Sequence, residues 1–225
     1  PRFGMQMALK PGFENLRWYG RGPHETYSDR CDARMDVYDG TVSDQYFDYS
    51  EPGETGNKVD VRWMTLTDNK GTGLLAIGQP ALSVNALHYT TDDLMSASHS
   101  WETTRRDYVT LNLDLVQMGV GGDDSWGAMP HREYRIFADK SYSYFFCLRS
   151  FDSKTADLNR LVKRVFPVIA APSVTRDDGT GRVTILCVTP EVKIEYSLDG
   201  QTWKDYAGPL DLPGSVHLHV RALRE

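Results

Sequence analysis

The chain has 225 residues, 40% of them apolar and 25% charged, with a formal net charge of -6. Those proportions exclude a disordered or fibrous chain and predict a folded, soluble one; the length suits one larger and one smaller domain. Lys and Arg are scattered, so no basic footprint for nucleic acid exists, and no apolar run nears the roughly 18 residues of a membrane span.

The opening PRFGMQMALKPGF lacks the cationic and then apolar plan of a signal peptide. A start at Pro1 without Met reads as a chain cut from something longer. Next, WYGRGPHETYSDR, Trp18 to Arg30, packs aromatics, glycines, a proline and charged groups into a span too irregular for one strand. It reads either as a turn-rich loop or as part of a site. DVRWMTLT and GLLAIG flank Asp68-Asn69-Lys70-Gly71, a turn whose Asn and Gly tolerate positive φ, and so predict a hairpin. In RDYVTLNLDLVQMG, Val109, Leu111, Leu113 and Leu115 alternate with polar Tyr108, Thr110, Asn112 and Asp114, the pattern of a half-buried strand.

That strand runs into GVGGDDSWG, Gly119 to Gly127, where three glycines in four residues permit positive φ or close backbone approach. The loop presents Asp123, Asp124, Ser125 and Trp126. Trp126 is expected either at the exposed tip or folded back as core. At a tip, its indole suits the C–H face of a pyranose, with neighbouring carboxylates and hydroxyls meeting the sugar hydroxyls. Adjacent Asp123 and Asp124 cannot easily flank a glycosidic bond at the roughly 5 to 9 Å that two-carboxylate hydrolysis needs. Catalysis is therefore expected from elsewhere.

Further on, Tyr134, Ile136 and Ala138 alternate with charged and aromatic residues, Asp139-Lys140 turns, and Tyr142, Tyr144, Phe146 and Leu148 return, predicting a second hairpin. Leu158, Leu161, Val162 and Val165 share one helical face, so a helix is expected from Asp152 to Val165, with Asp152 or Ser153 as N-cap and Pro167 closing it. Residues 152–169 are taken as a linker between a domain at 1–151 and a small one at 170–225. In the latter, Asp178-Gly179, Asp199-Gly200 and Pro213-Gly214 punctuate short β runs, as in an immunoglobulin-like sandwich.

Other candidates are weaker. Cys31, Cys147 and Cys187 are far apart with no C-x-x-C, so they read as small buried hydrophobes rather than a disulfide or zinc framework. His217 and His219 share a strand face with no third ligand nearby and read as solvated. Trp18, Trp63 and Trp101 are expected in cores or domain contacts. No Ser or Cys stands in a nucleophile elbow.

PRFGMQM, WYGRGPHETYSDR, DVRWMTLTD, SVNALHYTTDDL and QMGVGGDDSWG, in that order, resemble the C-terminal region of large bacterial β-galactosidases of glycoside hydrolase family 2, over about residues 1 to 150. The resemblance implies an all-β fold. Its larger part would be a galactose-mutarotase-like antiparallel super-sandwich, present as its later half, joined by one short helix to the small sandwich. It also implies a retaining enzyme acting on β-galactosides, whose catalytic Glu pair lies on an upstream TIM barrel, with no catalytic residue in this chain. Trp126 matches an aromatic at the edge of the galactoside site; Asp123, Asp124 and Ser125 follow it as substrate-site residues. No cofactor or metal site is expected here, any Mg or Na dependence belonging to the parent, which is expected to be a homo-oligomer. An unfinished sandwich would leave exposed edges. Residues 170 to 225 resemble chitobiase C-terminal-like or fibronectin-like modules of secreted or periplasmic glycosidases. The compartment, bacterial cytoplasm or periplasm, stays open. Rival readings are a free-standing carbohydrate-binding module, and a mutarotase-like enzyme, which needs an acid–base pair such as His24 and Glu25 in one pocket.

Overall fold

The computed structural model describes residues 1–225 except 125, 164–168, 190 and 224–225. The chain divides into two compact units, Pro1–Arg164 and Val165–Glu225.

The first unit is an antiparallel sheet of seven strands: β1 (Arg2–Leu9), β2 (Asn15–Gly22), β3 (Arg34–Thr41), β4 (Lys58–Thr67), β5 (Thr72–Leu87), β6 (Val109–Gln117) and β7 (Phe145–Asp152). Their order is β1-β6-β5-β4-β2-β3, with β7 also on β5. β5 is long enough to change partners: Thr72–Gln79 pairs with β7, and Ser83–Leu87 pairs with β6. Irregular register between Lys58 and Trp63 lets β4 follow the bend. The β4–β5 turn is the expected one. Asp68 Oδ1 accepts from the backbone of Lys70 and Thr72 at 2.9 and 2.8 Å, and Gly71 takes φ +98. Inward residues of the strands, among them Trp18, Met64, Leu66, Leu82, Leu111 and Leu113, form one apolar cluster.

Three expectations about this unit are corrected. β6 is not half-buried, because Thr110, Asn112 and Asp114 are as covered as Val109, Leu111 and Leu113. Gly53, Glu54 and a short helix, α1 (Thr91–Met95), roof that polar face. The hairpin expected over residues 134–148 does not form. Residues 135–144 are irregular and closed by the Tyr142 hydroxyl, which donates to the Phe137 carbonyl at 2.8 Å and accepts from its N–H at 3.0 Å. The returning run pairs instead with the open edge of β5. The second helix, α2, spans Leu158–Val162 with Asp157 as its N-cap, accepting from Arg160 at 3.2 Å. Asp152 instead caps a turn at Lys154, while Val165 and Pro167 lie outside the described residues.

The second unit holds β8 (Ser173–Asp177), β9 (Arg182–Leu186), β10 (Lys193–Ser197), β11 (Lys204–Asp205), β12 (Leu210–Asp211) and β13 (His219–Leu223). They form two three-stranded antiparallel sheets, β11-β10-β13 and β12-β9-β8. Among the described residues of this unit, Val183 and Ile185 are the buried apolar ones. Asp199 builds one tight turn, its Oδ1 accepting from Gln201 and Thr202 at 2.8 and 2.7 Å while Gly200 takes φ +72. Only His219 of the two strand-face histidines lies in β13, and both are exposed. The chain is thus all-β with antiparallel sheets.

Candidate functional site

The two chemically dense stretches of the sequence meet. Asp29, from the Trp18–Arg30 stretch, accepts at Oδ2 from the Gly121 N–H at 2.8 Å, and Gly119 N–H donates to the Tyr134 carbonyl at 2.9 Å. The glycines are required by close approach. A Cβ on Gly119 would stand 2.4 Å from Asp29 Oδ2, and one on Gly122 would stand 2.1 Å from the Ala128 carbonyl oxygen. Inside the loop, Asp124 Oδ1 accepts from the N–H groups of Trp126 and Ala128 at 2.8 and 3.3 Å. Asp123 Oδ1 lies 2.7 Å from His131 Nε2, and that carboxylate holds the imidazole pKa above its usual value. Trp126 projects from this frame with 93% of its surface exposed, so it is not core. Ser125 lies outside the described residues.

Beneath the loop, the rest of the Trp18–Arg30 stretch closes on itself. β2 ends at Gly22, and Tyr27 and Arg30 exchange backbone hydrogen bonds at 3.0 and 3.1 Å. Glu25 is the centre. It accepts from Tyr27 Oη at 3.0 Å, Arg30 Nη2 at 2.6 Å, Gly56 N–H at 2.8 Å and the Tyr49 hydroxyl. Burial works to raise its pKa, but these bonds, led by Tyr49 and Gly56, outweigh it and hold the carboxyl below its usual range. A carboxylate so committed is a poor acid or base. His24 and Glu25 line one groove of about 340 Å3, but Glu25 is taken up by four partners, none of them His24. Close by, buried Lys58 donates to the Gly56 carbonyl at 3.0 Å, and burial pushes its ammonium down to about 8 against the pull of Glu25.

A second charged group lies under β1 and β6. Arg2 Nη2 donates to both carboxylate oxygens of Glu54 at 2.7 Å, and its Nη1 lies 3.3 Å from Asp114. Burial pushes Asp114 up to about 6, with Arg2 opposing and Glu54 adding to the rise. Between these two groups and the foot of the Trp126 loop runs a groove of about 680 Å3.

Composition and periodicity did not single out Arg2, Tyr49, Glu54, Lys58 or Gln117 for this site. One signal was available: the polar face of β6 carries Thr110, Asn112 and Asp114, short side chains that suit internal hydrogen bonding, and no Lys or Glu. Trp18 and Trp63 are buried as expected, but Trp101 is 77% exposed and stacks on His99 at 4.3 Å. The cysteines are free and only partly buried. Among the described residues, no three His, Cys, Asp or Glu side chains are grouped to hold a metal.

The sequence profile of the β-galactosidase small chain matches residues 1–148. The chain is 43% identical over 150 residues to a β-galactosidase of Priestia megaterium, 66% of this chain and 14% of that protein. It is 40% identical over 146 residues to β-galactosidase BgaC of Bifidobacterium adolescentis, 64% of this chain and 14% of the relative. A β-galactosidase of Vibrio cholerae is 36% identical over 150 residues, again 66% and 14%. The chain therefore spans about 14% of the length of the curated relatives it matches.

Proposed function

Because the chain belongs to the β-galactosidase small-chain family, we propose that it serves as a non-catalytic C-terminal part of a retaining enzyme that hydrolyses terminal β-D-galactosides. In this reading an upstream barrel domain carries the two catalytic carboxylates, and Trp126 forms part of the rim of the sugar site. Asp124 and Asp123 hold the rim loop, and Ser125 belongs to the same loop. The observation that carries the reading is an indole 93% exposed on a loop anchored at both feet and from within. An aromatic so exposed gains nothing from its own fold and suits stacking on an apolar sugar face.

The carboxylates beneath the loop support the non-catalytic part. Glu25 and Glu54 are tied to arginines, and Asp114 is buried beside one, so these three do not make the free acid and base pair that glycoside hydrolysis needs. Any Mg or Na site of the whole enzyme is assigned to its upstream part. Homo-oligomeric assembly is likewise assigned to the whole enzyme.

The isolated chain should not hydrolyse a chromogenic β-galactoside above background. Its affinity for galactose or lactose should be on the order of millimolar or weaker, since one stacking residue supplies few convergent contacts. Turnover by the purified chain, lost on replacing one of its own carboxylates, would overturn the reading. In the full-length enzyme, Trp126→Ala should raise KM more than it lowers kcat.

A further inference from the structure

The groove at the foot of the Trp126 loop has features of a ligand site in its own right. Its volume of about 680 Å3 falls within the roughly 300 to 1,000 Å3 of small-molecule sites. It is lined by Gly119, Val120 and Pro130, from the two feet of the loop that carries Trp126, together with Arg2, Glu54 and Met95.

The groups on its walls are fixed before any ligand arrives. Arg2 is clamped by Glu54, and both Arg30 and Tyr49 are clamped by Glu25. Such preorganised polar groups lose little freedom on binding. The cations are matched by carboxylates, with Glu51 in addition, so the groove offers no surplus positive charge to a phosphate or carboxylate ligand. Exposed Met95 and Val120 give apolar faces beside these donors and acceptors. Gln117 stands in the wall with 6% of its surface exposed, and its amide oxygen has no hydrogen-bond partner. A buried acceptor without a donor is unfavourable until something such as a hydroxyl supplies one. Apolar patches among fixed donors and acceptors, with one carboxylate in excess and no surplus cation, suit an uncharged polyhydroxylated chain better than an anionic one.

We propose that this groove binds the sugar units that follow the one stacked on Trp126, making the chain a length-selective contact for neutral oligosaccharides. The proposal rests on the stacking role of Trp126, because the groove begins where that loop is rooted.

The test is calorimetry on the whole 225-residue chain with lactose and with β-1,4-galactotetraose. The tetrasaccharide should bind about tenfold tighter than lactose or better. Val120→Trp, which fills the groove from an exposed position, should abolish that advantage and leave the weak lactose affinity in place. Gln117→Leu should reduce the advantage without lowering the thermal midpoint, since it removes an acceptor that has no partner in the fold. Equal affinity for the two sugars, or an advantage that survives both variants, overturns the groove as a sugar site. Failure of the stacking role has a different signature: Trp126→Ala would leave both affinities unchanged.

Discussion

The guanidinium of Arg2 stands 3.3 Å from the carboxylate of Asp114, a side chain with 1% of its surface exposed, yet the pairing does not hold that carboxyl in the ordinary acidic range. Arg2 spends its two best hydrogen bonds on Glu54, and Glu54 is itself a negative charge close to Asp114. Burial then dominates, and the Asp114 pKa rises to about 6.

The sign of the consequence follows. Unfolded, the same carboxyl titrates near 3.9, so between about pH 4 and 6 the folded state binds more protons than the unfolded one. Asp114 therefore lowers stability progressively as pH rises through that window, by roughly 2 to 3 kcal/mol in all. Denaturant unfolding of the wild type and Asp114→Asn at several pH values checks this. The wild type should lose ground to the variant from pH 4 to pH 6 and no further above it. A gap independent of pH would contradict the assignment.

Glu25 should behave in the opposite sense. Its folded pKa lies below the usual carboxylate value, so its contribution is complete above the unfolded pKa and is lost as pH falls through the folded one. Glu25→Ala leaves Arg30, Tyr27, Tyr49 and the Gly56 N–H without their common acceptor, and should cost about 3 to 5 kcal/mol. Glu25→Gln keeps one acceptor oxygen and should cost less, while flattening the acid limb of the stability profile. Equal costs for the two substitutions would mean that shape, not charge, is what the centre supplies.

The strand alternation and the β4–β5 turn were legible because they are local. Val109, Leu111 and Leu113 face the core as their period demands, and Asp68 and Gly71 build the turn their chemistry favours. The Gly119–Gly122 run was legible as a place of close backbone approach. Alternation alone misassigned Thr110, Asn112 and Asp114, because period two separates two faces and does not say whether the second is roofed. The roof, with Glu54 and α1, comes from parts of the chain distant from β6. Glu25 was visible only as the neighbour of His24; its partners Tyr49 and Gly56 lie 24 and 31 residues away, beyond any local pattern. The 134–148 alternation was lost to a competing partner, the open edge of β5.

Gly122 offers a way to disturb the Gly119–Gly127 loop without touching Trp126. An added Cβ would meet the Ala128 carbonyl oxygen at 2.1 Å, so Gly122→Ala must spread the two arms of the loop. The strain is confined to an exposed loop, so the thermal midpoint should fall little, by less than about 1 kcal/mol in stability. In the full-length enzyme KM should rise several-fold, because the indole loses its fixed position. An unchanged KM would show that the loop needs no fixed shape.

The substitution that tests the proposed stacking role of Trp126 is Trp126→Ala in the full-length enzyme. With its indole 93% exposed, Trp126 contributes little to the fold, so the thermal midpoint should stay within experimental error of wild type. A buried Trp, such as Trp18, should by contrast cost roughly 3 to 5 kcal/mol when cut to Ala. Loss of stacking area on a bound sugar should weaken binding by roughly 1 to 3 kcal/mol, or about five- to 150-fold. The residue carries no proton or nucleophile, so the loss belongs to ground-state binding: KM rises, and kcat falls less than kcat/KM. Trp126→Phe or Trp126→Tyr should restore part of the affinity through a smaller flat ring, and Trp126→Leu should restore less, because it offers apolar area without an aromatic face. Asp124→Ala frees the Trp126 and Ala128 N–H groups from their shared acceptor and should mimic Trp126→Ala in KM at reduced size. If KM holds at the wild-type value across this series while the midpoint stays constant, the indole is not in contact with substrate.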